Sequence, residues 1–371
     1  MITPVELRHT MHQKPELSFK EFNTTKLLID NISELKSASL KIHTPLQTGC
    51  LVEYHVNDEE YLLFRADIDA LPVKEETDCL FKSCNDSMHA CGHDVHTAIL
   101  YGFLKYVVES RINQNVLFLF QPAEELGAGA KKILDTKILE LFNISRAFAL
   151  HVIDEYPEGT VASTRGALFA SSIELDVEFF GVNTHIAFPQ NGKNAFNALR
   201  IYLDMIDKLP LNPMEPFVYG TGKIVSGDVR NIIPNYGRAE SAIRSLSLKK
   251  NREYLEKFRE ILEGIKVMTG VDYKMTEGES CPEVLVDGNL YDRAKEILSK
   301  KYNFIDCGYK MTAEDFSYIS HIYPSFMFWL GTGRGNTVGL HNSKFLPADS
   351  VIEQGTGIFA ELFQAICSFD W

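Results

Sequence analysis

Residues 60–69, EYLLFRADID, point to the fold class of this chain. The run holds four consecutive apolar residues and ends in two aspartates. Two further runs, NVLFLFQP (115–122) and RAFALHVI (146–153), are also short and mainly apolar. A helix-like segment separates each run from the next. Short buried strands that alternate with helices are typical of βα units. The sequence therefore predicts an α/β domain with a mainly parallel central sheet flanked by helices.

Polar or ionisable residues follow each of these predicted strands. In open α/β sheets the ligand crevice lies beyond the carboxyl ends of the strands. We therefore expect five side chains to converge there: Asp67, Asp69, Glu124, Glu125 and His151. The order of the elements thus predicts where a functional site lies, before any chemistry is assigned to it.

At about residue 171 the sequence changes from continuous apolar runs to segments in which apolar and polar residues alternate. An alternating segment, SSIELDVEFFG, is followed by a long amphipathic helix, two strand-like pieces, a second helix and a last strand. This βαββαβ order predicts a self-contained, ferredoxin-like α+β domain inserted into the first domain. The predicted boundaries are 171–280 for the inserted domain, and 1–170 with 281–371 for the α/β domain.

The composition narrows the choice of partners. A net charge of -13 argues against nucleic acid and anionic membranes as partners. No apolar run approaches the roughly 18 residues that span a bilayer, and the N-terminal segment lacks the apolar core of a signal peptide. The 7 cysteines are scattered, as in proteins whose thiols stay reduced. We expect a cytoplasmic protein that acts on small molecules.

The segment MHACGHDVHTA (88–98) is rich in potential ligands. Cys91 and His93 lie two residues apart in a glycine-containing turn, so both side chains could face one ion, and thiolate and imidazole suit zinc and related metals. The same pair could be a thiol nucleophile with its base. The adjacent carboxylates of Glu124 and Glu125 favour a metal, because neighbouring carboxylates in a crevice repel each other unless a cation lies nearby.

Two further histidines, His151 and His341, join Cys91, His93 and the glutamate pair as candidates for a metal centre with one or two ions. Taken singly, each has an ordinary structural interpretation, and only the combination indicates a metal site. Asp94 either orients a metal-bound histidine or caps the helix that follows. His89 and His96 either support the ligands or have a purely structural role.

Seven segments, in order along the chain, resemble the M20 metallopeptidase superfamily: RADIDALP (65–72), MHACGHDVHTA (88–98), QPAEE (121–125), THIAFP (184–189), NIIP (231–234), EDF (314–316) and GLHNSKF (339–345). They more narrowly resemble its amidohydrolase branch, which includes aminoacylases and hippurate hydrolases. Within that branch, VLFLFQPAEE, ALFASSIEL, EDFSY and FMFWLG most resemble N-acetyldiaminopimelate deacetylases. The resemblance implies release of acetate from N-acetyl-L,L-diaminopimelate in lysine biosynthesis.

The resemblance also implies roles for the matching residues of the α/β domain. It implies one or two divalent ions per subunit (zinc, manganese, cobalt or nickel). The implied ligands are Cys91, His93, Glu125, His151 and His341, with Cys91 in the bridging place. Glu124 would be the general base. Asp67 would be a supporting catalytic residue, because Arg65 replaces the ligand histidine that precedes this aspartate in other branches.

For the inserted domain, the resemblance implies a lid that also forms a homodimer. His185 would stabilise the oxyanion, from its own or the partner subunit. Asn231 and Arg244 could contact a substrate carboxylate, because arginine can bind one through two parallel hydrogen bonds, but Arg244 could equally be a solvated strand residue. The sequence departs from the branch in the loop at 182–186, and at Leu126, where a glycine is usual. We expect both departures to affect substrate preference more than metal binding, because every expected type of metal ligand is present.

Other interpretations stay open at this point. A broader N-acyl amino acid or hippurate amidohydrolase, or a dipeptidase, would keep the chemistry and change the substrate. A metal-stabilised binding protein without turnover is disfavoured by Glu124, because a structural site has no use for a free base. A thiol hydrolase using Cys91 predicts activity that survives chelation and is lost on alkylation.

Overall fold

The computed structural model describes residues 2–368. Its helices are α1 (Pro4–Gln13), α2 (Phe22–Ser33), α3 (His93–Ser110), α4 (Gly129–Asp135), α5 (Ala195–Asp207), α6 (Leu248–Thr269), α7 (Gly288–Leu298), α8 (Ser317–Ser320) and α9 (Ser350–Cys367). Its strands are β1 (Leu40–His43), β2 (Cys50–Tyr54), β3 (Tyr61–Asp67), β4 (Asn115–Gln121), β5 (Ile144–Pro157), β6 (Val161–Ser163), β7 (Gly166–Phe169), β8 (Ser171–Phe180), β9 (Thr184–His185), β10 (Phe217–Ser226), β11 (Ile232–Ile233), β12 (Tyr236–Ser245), β13 (Asp272–Cys281), β14 (Val284–Val286), β15 (Phe304–Asp306) and β16 (Ser325–Gly333).

The chain divides into two compact units. The first runs to Leu168 and resumes over Val284–Tyr309 and from Glu314 onward, and the second comprises Phe169–Glu283 with Lys310–Ala313. The predicted inserted domain, 171–280, lies within the second unit. The short segment 310–313 joins this unit because its carbonyl groups accept hydrogen bonds from the backbone N–H of Ala170.

A sheet of eight strands forms the centre of the first unit, in the order β1-β2-β4-β3-β5-β16-β6-β15. β3 runs parallel to β4 and β5, and β5 runs parallel to β16. The predicted mainly parallel sheet is therefore confirmed. Every residue of β3 and β4 is buried, which explains why these strands read as continuous apolar runs rather than as alternating ones.

The helix α3 carries the segment 93–110 across the core of the first unit, where it packs against α1 and α9. Its first twelve residues are all buried, including four polar ones at the N-terminal end. Burial of polar side chains is costly unless they are paired, so this end of α3 is where a function is expected. Among the described residues, no helix has the length and apolar character needed to cross a bilayer.

The second unit contains an antiparallel sheet in the order β10-β12-β8-β13. Residues along β12 alternate between buried and half-buried, so one face of the sheet packs against α5 and α6. Along the chain the main elements follow the order β8-α5-β10-β12-α6-β13, which is a βαββαβ order. The short strands β9 and β11 pair separately and antiparallel. The role of this unit as lid and dimerisation domain stays a prediction.

Candidate metal centre

The turn before α3 carries two of the predicted ligands, Cys91 and His93. Between them, Gly92 has a φ of +84° and occupies the N-cap position of the helix. A Cβ at this glycine would lie 2.4 Å from Cγ2 of Val152, a buried residue of β5. Glycine alone combines a left-handed backbone with so close an approach. Gly92 therefore allows the turn to pack directly on β5 while both candidate ligands stay buried.

Two of the candidate ligand histidines share one tautomer. Nδ1 of His93 lies 3.0 Å from the backbone carbonyl of Asp69, and Nδ1 of His151 lies 2.8 Å from the carbonyl of Val152. A carbonyl group only accepts hydrogen bonds, so Nδ1 carries the proton in both rings. In the neutral ring, the lone pair of Nε2 is then the one through which imidazole binds a metal ion.

All five predicted ligands come together in the structure. Nε2 of His151 lies 3.4 Å from Sγ of Cys91, and Oε1 of Glu125 lies 3.8 Å from Nε2 of His93 and 3.5 Å from Nε2 of His341. Two groups of three ligand atoms, each within 4.8 Å of one another, share the thiol of Cys91. One group includes His93 and His151, and the other includes Glu125 and His341. Cys91 thus lies where one thiolate could contact two ions.

The chemistry of this cluster fits a divalent cation. Nε2 of His93 and Oε1 of Glu125 are buried, yet neither has a hydrogen-bond partner among residues 2–368, although buried polar atoms normally have one. Burial raises the pKa of Cys91 well above its usual value, and the charges of Glu125 and Glu124 raise it further. A thiolate at this position therefore needs a nearby positive charge. Thiolate, imidazole and carboxylate suit zinc, manganese, cobalt and nickel.

Glu124 lies beside the ligand set, on the short turn Glu124–Leu126 that follows β4. Its carboxyl is buried, with Oε2 3.8 Å from Nε2 of His93. Burial raises the pKa of Glu124 well above its usual value, and the charges of Glu314 and Glu125 raise it further. A carboxyl group in this position, and with this property, is suited to accept a proton and to give it back.

Asp67 supports the cluster through hydrogen bonds to other side chains. Its Oδ1 lies 2.6 Å from Nδ1 of His96, whose Nε2 accepts the backbone N–H of Val152 at 2.9 Å. Both ring nitrogens of His96 are occupied, so His96 supports the site and is not a ligand in this arrangement. Burial alone would raise the pKa of Asp67, but the neighbouring histidines and Arg65 outweigh it and hold the pKa well below its usual value.

Arg65 is fully buried and forms the positive centre of a cluster of acids. Its guanidinium donates to Asp67, Glu314 and Asp315 at 2.8 Å each and to the amide oxygen of Gln121 at 2.9 Å. The EDF segment thus supplies two counter-charges to Arg65, a role that sequence reasoning did not assign. The only signal in the sequence was the replacement of a histidine by an arginine in front of Asp67.

His341 lies on a turn and is the most exposed of the candidate ligands, with 53% of its side chain accessible. Its φ of +62° is unusual for a residue other than glycine. The backbone N–H of His341 donates to the carbonyl of Ala90 at 2.9 Å. Asp154 holds the preceding residues, because its Oδ2 accepts the backbone N–H groups of Val338 and Gly339. The turn is therefore fixed by hydrogen bonds more than by packing.

The prediction that Asp94 caps α3 is wrong. Gly92 takes the cap position and Asp94 lies in the first turn. Nor does Asp94 orient a ligand histidine: its Oδ2 accepts from Arg8 at 3.0 Å and from His12 at 2.9 Å. Sequence reasoning missed both of these partners. The only available signal was that Arg8 and His12 are four residues apart on α1, which places them on the same face of the helix. His89 is buried, and neither of its ring nitrogens has a hydrogen-bond partner among the described residues.

The predicted residues of the second unit lie on its strands and loops. His185 ends β9, is exposed, and accepts the N–H of Ala187 at its Nδ1. Asn231 is close to it in the fold, because the carbonyl of Asn231 accepts the N–H of Ile186. Arg244 lies on β12 and donates to the carbonyl of Met311 at 2.9 Å. The structure thus brings His185 and Asn231 near each other, and their roles stay predictions.

The arrangement in the first unit defines a class of protein. A thiol, imidazoles and a carboxylate meet beyond a mainly parallel sheet, and a second buried carboxylate lies beside them. This is the donor set and the free base of a metal-dependent hydrolase.

Comparison with known proteins identifies the family. The model of peptidase family M20/M25/M40 matches residues 63–365. The chain therefore belongs to this family, and it is a hydrolase that depends on divalent metal ions and acts on amides. A protein of Anoxybacillus flavithermus named N-acetyldiaminopimelate deacetylase is 36% identical over 94% of this chain and 93% of its own length. A protein of the same name from Priestia megaterium is 36% identical over 97% of both chains.

Solved structures show the same fold. The YXEP protein of Bacillus subtilis, described as a dinuclear metal binding peptidase from the M20 family, has a TM-score of 0.85 and 28% identity, with 98% of each chain covered. A putative aminohydrolase from methicillin-resistant Staphylococcus aureus has a TM-score of 0.89 and 24% identity, with 97% of this chain and 96% of its own covered. The second similarity concerns the fold alone.

Proposed function

We propose that this enzyme removes the acetyl group from N-acetyl-L,L-diaminopimelate, releasing diaminopimelate and acetate. The observation that carries the proposal is the identity of 36% to proteins named N-acetyldiaminopimelate deacetylase, which extends over 93% or more of both chains. A buried base beside a complete ligand set supports the chemistry that the proposal needs. In this interpretation the enzyme is cytoplasmic and serves lysine biosynthesis.

The proposed metal ligands are Cys91, His93, Glu125, His151 and His341. Cys91 belongs to two ligand groups, one with His93 and His151 and one with Glu125 and His341, so these residues could hold up to two ions per subunit. A structural neighbour of 28% identity is described as dinuclear, which supports the same number here. The donor set admits zinc, manganese, cobalt or nickel.

Glu124 is the proposed general base. When a divalent ion is bound, it lowers the pKa of water and polarises a carbonyl group. Glu124 takes a proton from the attacking water as the water oxygen bonds to the amide carbon. It gives this proton to the nitrogen as the C–N bond breaks, so the first products are a carboxylic acid and an amine. The acid then loses the second proton of the water, which the amine takes up, to give a carboxylate and an ammonium group. Asp67 assists by holding His96 and, through it, the backbone of Val152.

The second unit supplies the remaining proposed roles. His185 stabilises the negative oxygen of the tetrahedral intermediate, from the same or the partner subunit of a homodimer. Asn231 and Arg244 bind a carboxylate of the substrate, for which the planar guanidinium of Arg244 is suited. The exposure of His185 is compatible with contact to a ligand or a partner.

The test is a comparison of substrates with the reduced, metal-loaded enzyme. Release of amine is measured from N-acetyl-L,L-diaminopimelate, N-acetylmethionine, hippurate and a dipeptide, each with and without a chelator. Chelator-sensitive preference for the diaminopimelate derivative is the expected result, whereas preference for another of these amides refutes the substrate assignment and leaves the family unaffected. Glu124→Gln should bind metal normally and lose about 10²–10⁴-fold in turnover; wild-type turnover in this variant would refute the role of Glu124.

A further inference from the structure

A loop without helix or strand, residues 74–86, is organised by one buried carboxylate. We call it the bridging loop. The carboxylate of Glu75 accepts hydrogen bonds from the hydroxyl of Thr77, from the backbone N–H of Ser83 at 2.6 Å and from the thiol of Cys79 at 3.6 Å. Glu75 is only 4% exposed. A single side chain therefore satisfies donors along most of the length of this loop, which regular secondary structure does not hold.

His12 links Glu75 to the turn that carries Cys91 and His93. Nε2 of His12 lies 3.3 Å from Glu75, and its Nδ1 lies 2.9 Å from Asp94, the residue directly after His93. His12 and Asp94 are both 1% exposed. A buried carboxylate needs a close partner, and His12 serves two of them at once. The connection from the bridging loop to the start of α3 therefore runs through three buried side chains, those of Glu75, His12 and Asp94.

Glu76, the next residue of the bridging loop, is hydrogen-bonded to the turn that carries His341. The backbone N–H of Glu76 donates to the carbonyl of Ser343 at 2.8 Å, and the hydroxyl of Ser343 donates to the carboxylate of Glu76 at 2.7 Å. Ser343 is two residues from His341, the most exposed of the proposed ligands. The bridging loop is thus linked to both ligand-bearing turns through two adjacent residues: Glu75 reaches the turn of Cys91 and His93 through His12, and Glu76 contacts the turn of His341 directly.

We propose that Glu75 is a positioning residue of the metal centre. By ordering the bridging loop, it holds the turn of Cys91 and His93 and the turn of His341 at the separation that shared ions need. This inference rests on the proposed ligand set, and it adds a residue that touches neither metal nor substrate. Residues that orient metal ligands change metal affinity when they are replaced, typically by about 10–100-fold.

The experiment compares Glu75→Ala with a matched control, Glu53→Ala. Glu53 also pairs with a histidine, His43, at 2.8 Å and accepts from a hydroxyl, that of Tyr61, at 3.0 Å. Zinc or manganese affinity of each folded protein is measured without substrate, by competition with a chromogenic chelator. We expect Glu75→Ala to bind metal about 10–100-fold more weakly, and Glu53→Ala to bind it as the wild type does.

Further measurements separate positioning from general stability. At saturating metal, Glu75→Ala should regain most of its kcat with unchanged KM, and Glu75→Gln, which keeps an acceptor oxygen and a similar shape, should bind metal more tightly than Glu75→Ala. Wild-type metal affinity in a Glu75→Ala protein that melts at a lower temperature would overturn the proposal. If Glu75→Ala does not fold, the comparison of Glu75→Gln with Glu53→Gln decides in the same way.

Metal binding by a Cys91→Ser variant shows whether the proposed ligands are wrong or only the positioning role of Glu75 is wrong. Cys91→Ser removes a proposed ligand, whereas Glu75→Ala removes a contact behind it. Weak metal binding in Cys91→Ser with normal binding in Glu75→Ala refutes the positioning role alone. Normal metal binding in Cys91→Ser refutes the ligand set, and the positioning role with it.

Discussion

Replacement of Gly92 by alanine should destabilise this protein strongly. The added Cβ would lie 2.4 Å from Cγ2 of Val152, and the backbone there has a φ of +84°. A left-handed conformation costs alanine about 1–2 kcal/mol, and overpacking of a rigid core costs about 1–3 kcal/mol more. Val152 is buried, and its N–H is bonded to His96, so it cannot move away freely. We expect Gly92→Ala to lose about 2–5 kcal/mol of unfolding free energy.

Gly166→Ala is the matched control for this prediction. Gly166 has a similar φ of +77°, but apart from Gly166 and its two chain neighbours no atom of the described residues lies within 4 Å of the position that an added methyl group would take. The Gly166→Ala variant should therefore lose only the unfolding free energy that a left-handed backbone costs alanine, about 1–2 kcal/mol. Guanidinium unfolding of both variants, with and without metal, measures the difference. Adding Val152→Ala to Gly92→Ala should recover about 1–3 kcal/mol as a coupling energy. Equal losses in the two glycine variants would show that the close approach of the turn to β5 is not as described.

Three further predictions concern charges and the thiol. Burial lowers the pKa of His12, but Asp94 and Glu75 outweigh it and raise the pKa to about 9. This stabilisation is complete below the unfolded value of 6.5 and is lost as the pH rises from there through about 9, so the wild type should lose about 3 kcal/mol over that range. A His12→Gln variant measured by urea unfolding should show no such loss. Arg65→Met leaves three carboxylates without their cation and should cost about 3–5 kcal/mol; a thermal stability equal to wild type would contradict this. Activity should vanish on chelation and return with added metal, whereas activity that survives chelation and ends on alkylation would identify Cys91 as a nucleophile instead.

Local patterns were sufficient for much of the fold. The apolar runs at 60–69, 115–122 and 146–153 became β3, β4 and the middle of β5, because strands buried on both faces need no polar alternation. The spacing of Cys91 and His93 and the adjacency of Glu124 and Glu125 are also local features. These residues were recognisable because the chemistry of each pair is visible within a few positions of sequence.

Other parts of the site had no local signal. Asp94 was expected to be a helix cap or to orient a ligand, and it instead pairs with Arg8 and His12, more than eighty positions away. Glu75 lies in a segment that has neither helical nor strand periodicity, so its burial could not be predicted. Periodicity reports which face of an element is buried, but it does not report which distant side chain will meet a buried charge.

The sequence by itself determined the types of element, their order and the inventory of donors that a metal site requires. The tertiary structure alone decided how those donors are used: which nitrogen of His93 and His151 is left for a ligand, and that Cys91 belongs to two ligand groups. It also decided that Arg65 faces the acids of the EDF segment. The physical reason is that a tautomer or a buried ion pair depends on the neighbours that the fold brings within about 3 Å, and a pair such as Arg65 and Asp315 is 250 positions apart in the chain.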